Sequence, residues 1–461
     1  MSRLIAPLGL IALVALVACS PSPDARTDAP PPATDLVLET IMTHALADTF
    51  ALDALRELCD VVGPRLAGSE GMRRAHAWAE RRLREAGADT IWREPVTVPR
   101  WERGVEWARL VHPYEAPLTM LGLGLSVGTG GVLEAEVLAV RDWDELEARR
   151  DEVPGKIVVF DPPWRSYGYN VDYRSNAASR AAAHGAVAAL IRPAGFGQNT
   201  PHTGVMRYAD DHPRIPAASL TEEGAARLHR LSDRGLRPRV ALSMEARVLE
   251  DGPCANVIGE LRGRERPEEI VLIAGHLDAW DTGDGAHDDG AGCVIMLAAL
   301  ETLDDLGLRP RRTIRVVLYT SEEYGGQGGR SYAERHAGAI DRHVLALESD
   351  AGCYAPAGFS VRADSTAIAR LAPYAAPLAR LGADSVYAGW AGVDIGPLVE
   401  RGVLGVGHRV HNDGYFALHH GPADVFEAVD PEDLAANVAT VAAFVYAVAD
   451  SPATLPIPEA D

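Results

Sequence analysis

The sequence is short of positive charge. Its 44 Lys and Arg residues stand against 65 Asp and Glu residues, and the formal net charge at pH 7 is −21. The phosphates of nucleic acids and anionic membrane surfaces repel an acidic chain, so we expect neither as a partner. The acidic residues are spread along all 461 positions, which is typical of a solvated surface.

Cysteine and repeats are also scarce. Apart from Cys19 the cysteines are Cys59, Cys254, Cys293 and Cys353, and their uneven spacing does not demand a disulfide framework. No repeat of solenoid period is present, which argues against a repeat architecture. With 47% hydrophobic residues, the chain is long enough for two or three domains with substantial cores.

The N-terminal segment is typical of an exported protein. Residues 1–18 combine a basic start with an apolar run too short to span a bilayer, which predicts a signal peptide. It ends in Leu16-Val17-Ala18-Cys19, which resembles the lipobox of bacterial lipoproteins. That resemblance implies a lipidated Cys19 as the only membrane attachment and a place in the bacterial cell envelope, tethered to the outer membrane. An ordinary secretory signal with an incidental cysteine is the alternative.

The rest of the chain divides into segments that differ in composition and in predicted secondary structure. Residues 19–35 are proline-rich and predict an extended tether. Residues 36–113 predict helices followed by two strands, and 114–246 predict short strands with one alanine-rich helix, His202 and His212 being expected at the surface. Residues 247–450 alternate strands with helices, which predicts an α/β sheet, and 451–461 form a tail.

The most informative stretch runs from Val271 to Asp289, an apolar strand that ends in a loop crowded with histidine and aspartate. Ligands of open α/β sheets bind at the carboxyl ends of strands. Imidazole from His276 and a carboxylate from Asp288 suit zinc, and Asp278 would orient the His276 ring. Helix capping explains one carboxylate of this loop but not six polar groups.

Two further strands end in carboxylates. Glu322 and Glu323 follow the strand at 313–319, and Asp350 follows the strand at 343–347. Adjacent side chains beyond a strand diverge, so one glutamate would bind metal and the other would transfer protons. His420 lies in a loop before the last helix. The donors His276, Asp288, Glu323, Asp350 and His420 are the number that two zinc ions with a bridging carboxylate require.

These motifs resemble a zinc metallopeptidase family that includes bacterial leucyl aminopeptidases and glutamate carboxypeptidase, and most closely its plasma glutamate carboxypeptidase branch. The stretches that carry the resemblance are Cys59 to Ser69, Trp101 to Gly104, Leu121 to Gly128, Gly275 to Gly290, Ser321 to Gly326, Glu348 to Gly352 and Tyr415 to His420. The resemblance implies an aminopeptidase-like mixed sheet flanked by helices, with an inserted β-rich protease-associated domain at 114–246, and a homodimer.

The family pattern also implies roles for single residues. Asp288 bridges two zinc ions, His276 and Asp350 complete one ion, and Glu323 and His420 complete the other. Glu322 is the general base and Asp278 the orienting carboxylate. In relatives the peptide bond after the bridging aspartate can be cis, so we expect a cis Asp288–Asp289 bond.

The oxyanion donor is open. Some relatives have a tyrosine where this chain has His419, so His419 and Tyr415 are both candidates. The segment Gly389 to Asp394 resembles a loop that lines the site, which makes Asp394 a candidate substrate residue.

The function that follows is a zinc-dependent exopeptidase, an aminopeptidase or dipeptidase acting on dipeptides or short peptides with a free amino terminus. Two alternatives belong to other classes. A glutaminyl cyclase is an acyltransferase on a related fold with one zinc ion, and the five-ligand set argues against it. A non-catalytic binding protein on the same fold would lack ligands, and none is missing here.

Overall fold

The computed structural model describes residues 33–453, with side chains from residue 35 onward. The predicted signal peptide at 1–18, Cys19, most of the tether and the end of the tail lie outside the described residues. Helix α1 begins inside the predicted tether, at Ala33. In the described part of the chain Cys59, Cys254, Cys293 and Cys353 are buried free thiols.

Helices and strands alternate along most of the chain. Within residues 33–453 the α-helices are α1 (Ala33–Ala47), α2 (Phe50–Glu57), α3 (Glu70–Glu85), α4 (Trp143–Ala148), α5 (Tyr167–Ala183), α6 (Glu222–Asp233), α7 (Ala291–Asp305), α8 (Gln327–Arg335), α9 (Ser365–Ala375), α10 (Gly396–Val399) and α11 (Pro431–Asp450). The strands are β1 (Thr90–Glu102), β2 (Glu106–His112), β3 (Ala116–Leu118), β4 (Met120–Gly122), β5 (Leu133–Val140), β6 (Ile157–Phe160), β7 (Ala188–Ile191), β8 (Ala217–Leu220), β9 (Arg239–Met244), β10 (Arg247–Leu261), β11 (Arg266–His276), β12 (Arg312–Tyr319), β13 (His343–Glu348), β14 (Pro356–Arg362), β15 (Val386–Ala388) and β16 (Gly405–Val410).

The first sheet has the order β1-β10-β12-β11-β13-β16-β14-β15. Strands β12, β11, β13 and β16 are parallel neighbours, and β10 and β14 join them antiparallel. Every residue of β12 is buried, as expected for a parallel strand covered on both faces. The expected mixed sheet flanked by helices is confirmed.

Side chains of the central strands alternate between two cores. Val271 and Ile273 of β11 pack in the same cluster as α7 and α11, whereas Leu272 and Ala274 pack with α8 and α10. Helix α11 is long and apolar enough to cross a membrane, but 78% of its most apolar stretch is buried inside the fold. It is therefore a core helix of this protein.

The second sheet has the order β3-β2-β9-β5-β6-β7-β8-β4 and carries α4, α5 and α6. Strand β2 pairs with β3 and β9, so this sheet begins at Glu106, before the expected boundary at residue 114. The chain leaves the first sheet at Gly104, whose φ of 67° suits a reversal between β1 and β2. Strand β10 re-enters the first sheet at Arg247, as expected, while the protease-associated identity of the insert stays a prediction.

Candidate metal centre

The carboxyl ends of the parallel strands bring the predicted ligands together. Strand β11 ends at His276, β12 is followed by Glu322 and Glu323, and β13 is followed by Asp350. Parallel neighbours end at the same edge of a sheet, so side chains from distant parts of the sequence converge there. Asp288 comes from the turn before α7, and His420 follows a short 3-10 helix at Tyr415–Ala417.

Asp288 stands between two groups of side chains. Its Oδ1 lies 3.2 Å from Nε2 of His276, which is itself 3.7 Å from Oδ1 of Asp350. Its Oδ2 lies 3.3 Å from Nε2 of His420, which is 3.0 Å from Oε2 of Glu323. The two oxygens of one carboxylate thus face two separate sets of imidazole and carboxylate donors.

The backbone of the Asp288 turn is fixed by carboxylates on either side. The Asp288–Asp289 peptide bond is cis, which confirms the expectation. Asp424 accepts hydrogen bonds from the amides of His287 and Asp288 at 2.7 and 3.1 Å. Asp289 accepts from the amides of His276 and Gly292, and so ties the end of β11 to the start of α7.

The His276 ring is held in one orientation. Its Nδ1 donates a 2.9 Å hydrogen bond to the main-chain carbonyl of Asp278, so Nε2 faces Asp288 and Asp350. Burial disfavours a charged ring, but these two carboxylates outweigh it and raise the pKa of His276 well above its usual value.

The Asp278 carboxylate has a different role from the one expected. Its Oδ1 lies 3.9 Å from the His276 ring, so the carbonyl of the same residue makes the orienting hydrogen bond. The carboxylate instead accepts hydrogen bonds from the amides of Glu322 and Glu323 at 3.2 and 3.4 Å. Asp278 therefore holds both glutamates at the end of β12.

A cavity of about 370 Å³ opens beside Asp288 and contains the Glu322 side chain in its wall. Burial, together with the charges of Asp350 and Asp288, raises the pKa of Glu322 to about 8 against the lowering effect of His276. A carboxylate that lines a cavity and retains a proton affinity near neutrality suits acid–base chemistry.

His419 and Tyr415 both line this cavity. His419 stacks on His420 with ring centres 3.6 Å apart, and its Nε2 is 3.5 Å from Oδ2 of Asp288. Burial lowers the pKa of His419 to about 4, so its ring is neutral. The Tyr415 ring lies 4.9 Å from the His419 ring.

Asp394 is not in the cavity wall. Its side chain is 1% exposed, and burial raises its pKa well above the usual value. The loop is turned by Glu348, which accepts hydrogen bonds from the amides of Val393 and Ile395 at 2.8 Å. Trp390 and Val393 of the same loop face the cavity, and a substrate role for Asp394 stays a prediction.

The second sheet completes the site, which the sequence did not indicate. Tyr167, at the start of α5, lines the cavity, and burial raises its pKa to about 12. Arg174 of the same helix contacts the Tyr167 hydroxyl at 3.3 Å and Nδ1 of His420 at 3.1 Å. Burial, His419 and Arg174 lower the pKa of His420 well below its usual value.

The expectation that His202 lies at the surface is wrong, since its side chain is 1% exposed. The neighbouring Thr203 amide donates a 2.8 Å hydrogen bond to the carbonyl of His420. Burial, together with the charge of Arg174, lowers the pKa of His202 to about 3. The loop around it packs against the two site histidines, a contact that sequence spacing does not reveal. His212, by contrast, is partly exposed.

Arg65 is another residue that the sequence did not single out. It is fully buried and donates hydrogen bonds to the carbonyls of Leu277, Asp284 and Gly285 at 2.7, 2.5 and 2.7 Å. One guanidinium therefore holds both ends of the loop between β11 and the Asp288 turn. A planar group with five donors can make three such bonds at once, and lysine cannot reproduce that geometry.

Replacing Arg65 with Met should lower the free energy of unfolding by about 3 kcal/mol, because three buried carbonyls lose their donor. Chemical denaturation measures this loss. Arg73→Met is the matched control: Arg73 pairs with Glu70 on the exposed side of α3, where an ion pair contributes little. Equal stability of the two variants would mean that water replaces the Arg65 hydrogen bonds.

Known proteins resemble most of the chain. The model of peptidase family M28 matches residues 256–445, which contain every predicted metal ligand. Carboxypeptidase Q of Mus musculus is 39% identical over 401 residues, which cover 87% of this chain and 85% of that protein. Carboxypeptidase Q of Homo sapiens is 38% identical over 418 residues, which cover 90% and 89%.

Solved structures agree. A peptidase M28 precursor from Shewanella amazonensis has 35% identity and a TM-score of 0.89, covering 92% of this chain and 99% of that one. A zinc aminopeptidase from Bacillus subtilis has 20% identity and a TM-score of 0.67, covering 89% and 98%, and shares the fold. The chain belongs to peptidase family M28 and is a metallo-exopeptidase, a hydrolase of peptide bonds.

Proposed function

We propose that this zinc exopeptidase is an aminopeptidase or dipeptidase that binds two zinc ions and hydrolyses dipeptides or short peptides with a free amino terminus. The proposal rests on the placement of the Asp288 carboxylate, whose Oδ1 faces His276 and whose Oδ2 faces His420. A carboxylate placed in this way can bridge two cations.

The residues fit two zinc ions. His276, Asp288 and Asp350 form one group of donor atoms within 4.8 Å of one another. Buried atoms that face the centre, namely Nε2 of His276, Oδ2 of Asp288 and Oε1 of Glu323, have no hydrogen-bond partner. Neutral imidazole with carboxylate is a donor set that zinc accepts. We therefore assign His276 and Asp350 to one ion, Glu323 and His420 to the other, and Asp288 to both.

When bound, zinc would supply a Lewis acid and lower the pKa of a nearby water. Glu322 accepts the proton of the attacking water and later returns it to the leaving amine. Asp278 positions Glu322 by accepting a hydrogen bond from the main-chain amide of Glu322. Tyr415 and His419 line the same cavity and are the candidates to donate a hydrogen bond to the oxyanion.

The cavity has the size and charge for a small zwitterion. Its volume of about 370 Å³ is at the small end of the range for ligand pockets. Glu322 and Asp350 lie in its wall and attract an ammonium group, while Arg409 and Asn412 lie in the same wall and suit a carboxylate. A dipeptide with both termini free presents this pair of charges.

A panel of dipeptides tests the substrate proposal. We expect the full chain to hydrolyse unblocked dipeptides and to leave their N-acetylated versions intact, because acetylation removes the ammonium charge. Adding a chelator should abolish hydrolysis, and added Zn²⁺ should restore it. Equal cleavage of the acetylated set would overturn recognition of the free amino terminus, and chelator-resistant cleavage would overturn the metal requirement.

Three features of the wider molecule are proposals from the sequence. The first is that the protein is an exported lipoprotein with lipid attached to Cys19, and mass spectrometry detects that lipid. The second sheet, with its parallel strands β5 to β8 under α5 and α6, is proposed as the protease-associated insert. A homodimer is proposed from the family resemblance, and sedimentation of the purified chain measures it.

A further inference from the structure

A second group of metal-binding side chains lies away from the catalytic cavity, and nothing in the exopeptidase reaction uses it. His44, Glu301 and Asp305 place one donor atom each within 4.8 Å of one another. The group joins the end of α1 to the end of α7, where His44 Nε2 is 3.6 Å from Oδ2 of Asp305. Glu301 lies ten residues after Ala291, the first residue of α7 (301 − 291 = 10), so about 15 Å of helix separates it from the Asp288 turn.

Glu301 is the unusual member of the group. Its side chain is 8% exposed, and Oε2 is a buried oxygen without a hydrogen-bond partner. Nε2 of His44 is likewise buried without a hydrogen-bond partner. Burying an uncompensated carboxylate is costly, so such a group is normally paired or bound to a metal.

The neighbours of Glu301 make the cost larger. Burial raises the pKa of Glu301 to about 8, and the charges of Asp48 and Asp305 add to the rise. Among the described residues no Lys or Arg forms an ion pair with Glu301 or Asp48. The carboxylates of Glu301 and Asp305 and the imidazole of His44 therefore lie together, with Asp48 as a further nearby negative charge.

We propose that His44, Glu301 and Asp305 bind a divalent transition-metal ion that fastens α1 to α7. Mixed imidazole and carboxylate donors suit Zn²⁺ or Mn²⁺ better than Ca²⁺, which prefers oxygen ligands alone. The ion is structural, because Glu301 and Asp305 lie outside the catalytic cavity. Its role is to hold the first helix of the described chain against the helix that follows the catalytic turn.

Metal counting tests the proposal. The full chain is dialysed with Zn²⁺, then against metal-free buffer, and zinc per chain is measured by mass spectrometry. Glu301→Gln and His44→Gln should each hold one zinc fewer than wild type, with unchanged dipeptide hydrolysis. Glu39→Gln on the exposed side of α1 should match wild type. Equal zinc content in all four proteins would overturn the proposal.

Thermal unfolding gives a second readout that does not depend on the catalytic ions. In an Asp288→Asn background, added Zn²⁺ should still raise the melting temperature, and adding Glu301→Gln should remove that rise. If the carboxyl groups only share a proton, Glu301→Gln should stabilise the protein with no effect on its response to Zn²⁺. That outcome would overturn the proposal and leave the catalytic centre unaffected.

Discussion

Replacing Glu322 with Gln should leave the zinc content of the protein unchanged and lower kcat by about 10²–10⁴-fold. The Gln side chain has nearly the same shape as Glu but cannot accept a proton. The main-chain amide of residue 322 still donates its hydrogen bond to the Asp278 carboxylate. Glu323, the adjacent glutamate, faces His420 and is assigned to zinc. Substitutions of the two glutamates should therefore have different effects on turnover and on zinc content.

Steady-state kinetics on an unblocked dipeptide and metal analysis of the same sample measure this difference. Glu400→Gln, an exposed carboxylate at the end of α10, is the matched control and should behave as wild type. Glu323→Gln should instead lower the zinc content. Full turnover by Glu322→Gln would show that Glu322 does not carry out the proton transfer.

The strand-end ligands were predictable because each is signalled locally. A buried apolar run followed at once by His276, by the glutamate pair or by Asp350 marks a polar group at a sheet edge, and parallel strands bring such edges together. The periodicity of β11, β12 and β13 indicated their positions to within a few residues. The alternation of strands and helices indicated an α/β sheet, and the family resemblance implied that the sheet is mixed and flanked by helices.

The residues that hold the ligands were not predictable in this way. Arg65 lies 212 residues before its first partner, Leu277, and Arg174 lies 246 residues before His420. A buried arginine reads in the sequence like any surface arginine, because the acceptors of Arg65 are main-chain carbonyls without a residue signature and the partner of Arg174 is far away in the sequence. Asp424 has the same character, since it binds amides rather than side chains.

Strand β2 and His202 show where local patterns mislead. The alternating residues at 106–112 indicate a strand but not the sheet to which it belongs, and pairing with β9 more than a hundred residues later decides that. His202 is flanked by Pro201 and Thr203, a composition typical of exposed loops. It is buried because the loop packs on the His419–His420 segment.

Replacing Asp288 with Asn should remove both zinc ions, whereas Asp350→Asn and His420→Gln should each remove one. Mutation of residues that only support a metal ligand typically costs about 10–100-fold in affinity, so loss of a shared ligand should cost at least about 100-fold for each ion. The turn itself should persist, because Asp424 and Asp289 hold it through main-chain amides. Activity should fall to background in the Asp288 variant.

Metal analysis across these three variants separates a shared carboxylate from two independent ones. If Asp288 serves both ions through its two oxygens, its variant loses more zinc than either of the others. If zinc per chain falls by only one in Asp288→Asn, the carboxylate belongs to a single ion and the second ion must take His419, which also lies 3.5 Å from Oδ2. His419→Gln would then lower the zinc content as well, whereas a bridging Asp288 predicts that this variant keeps both ions.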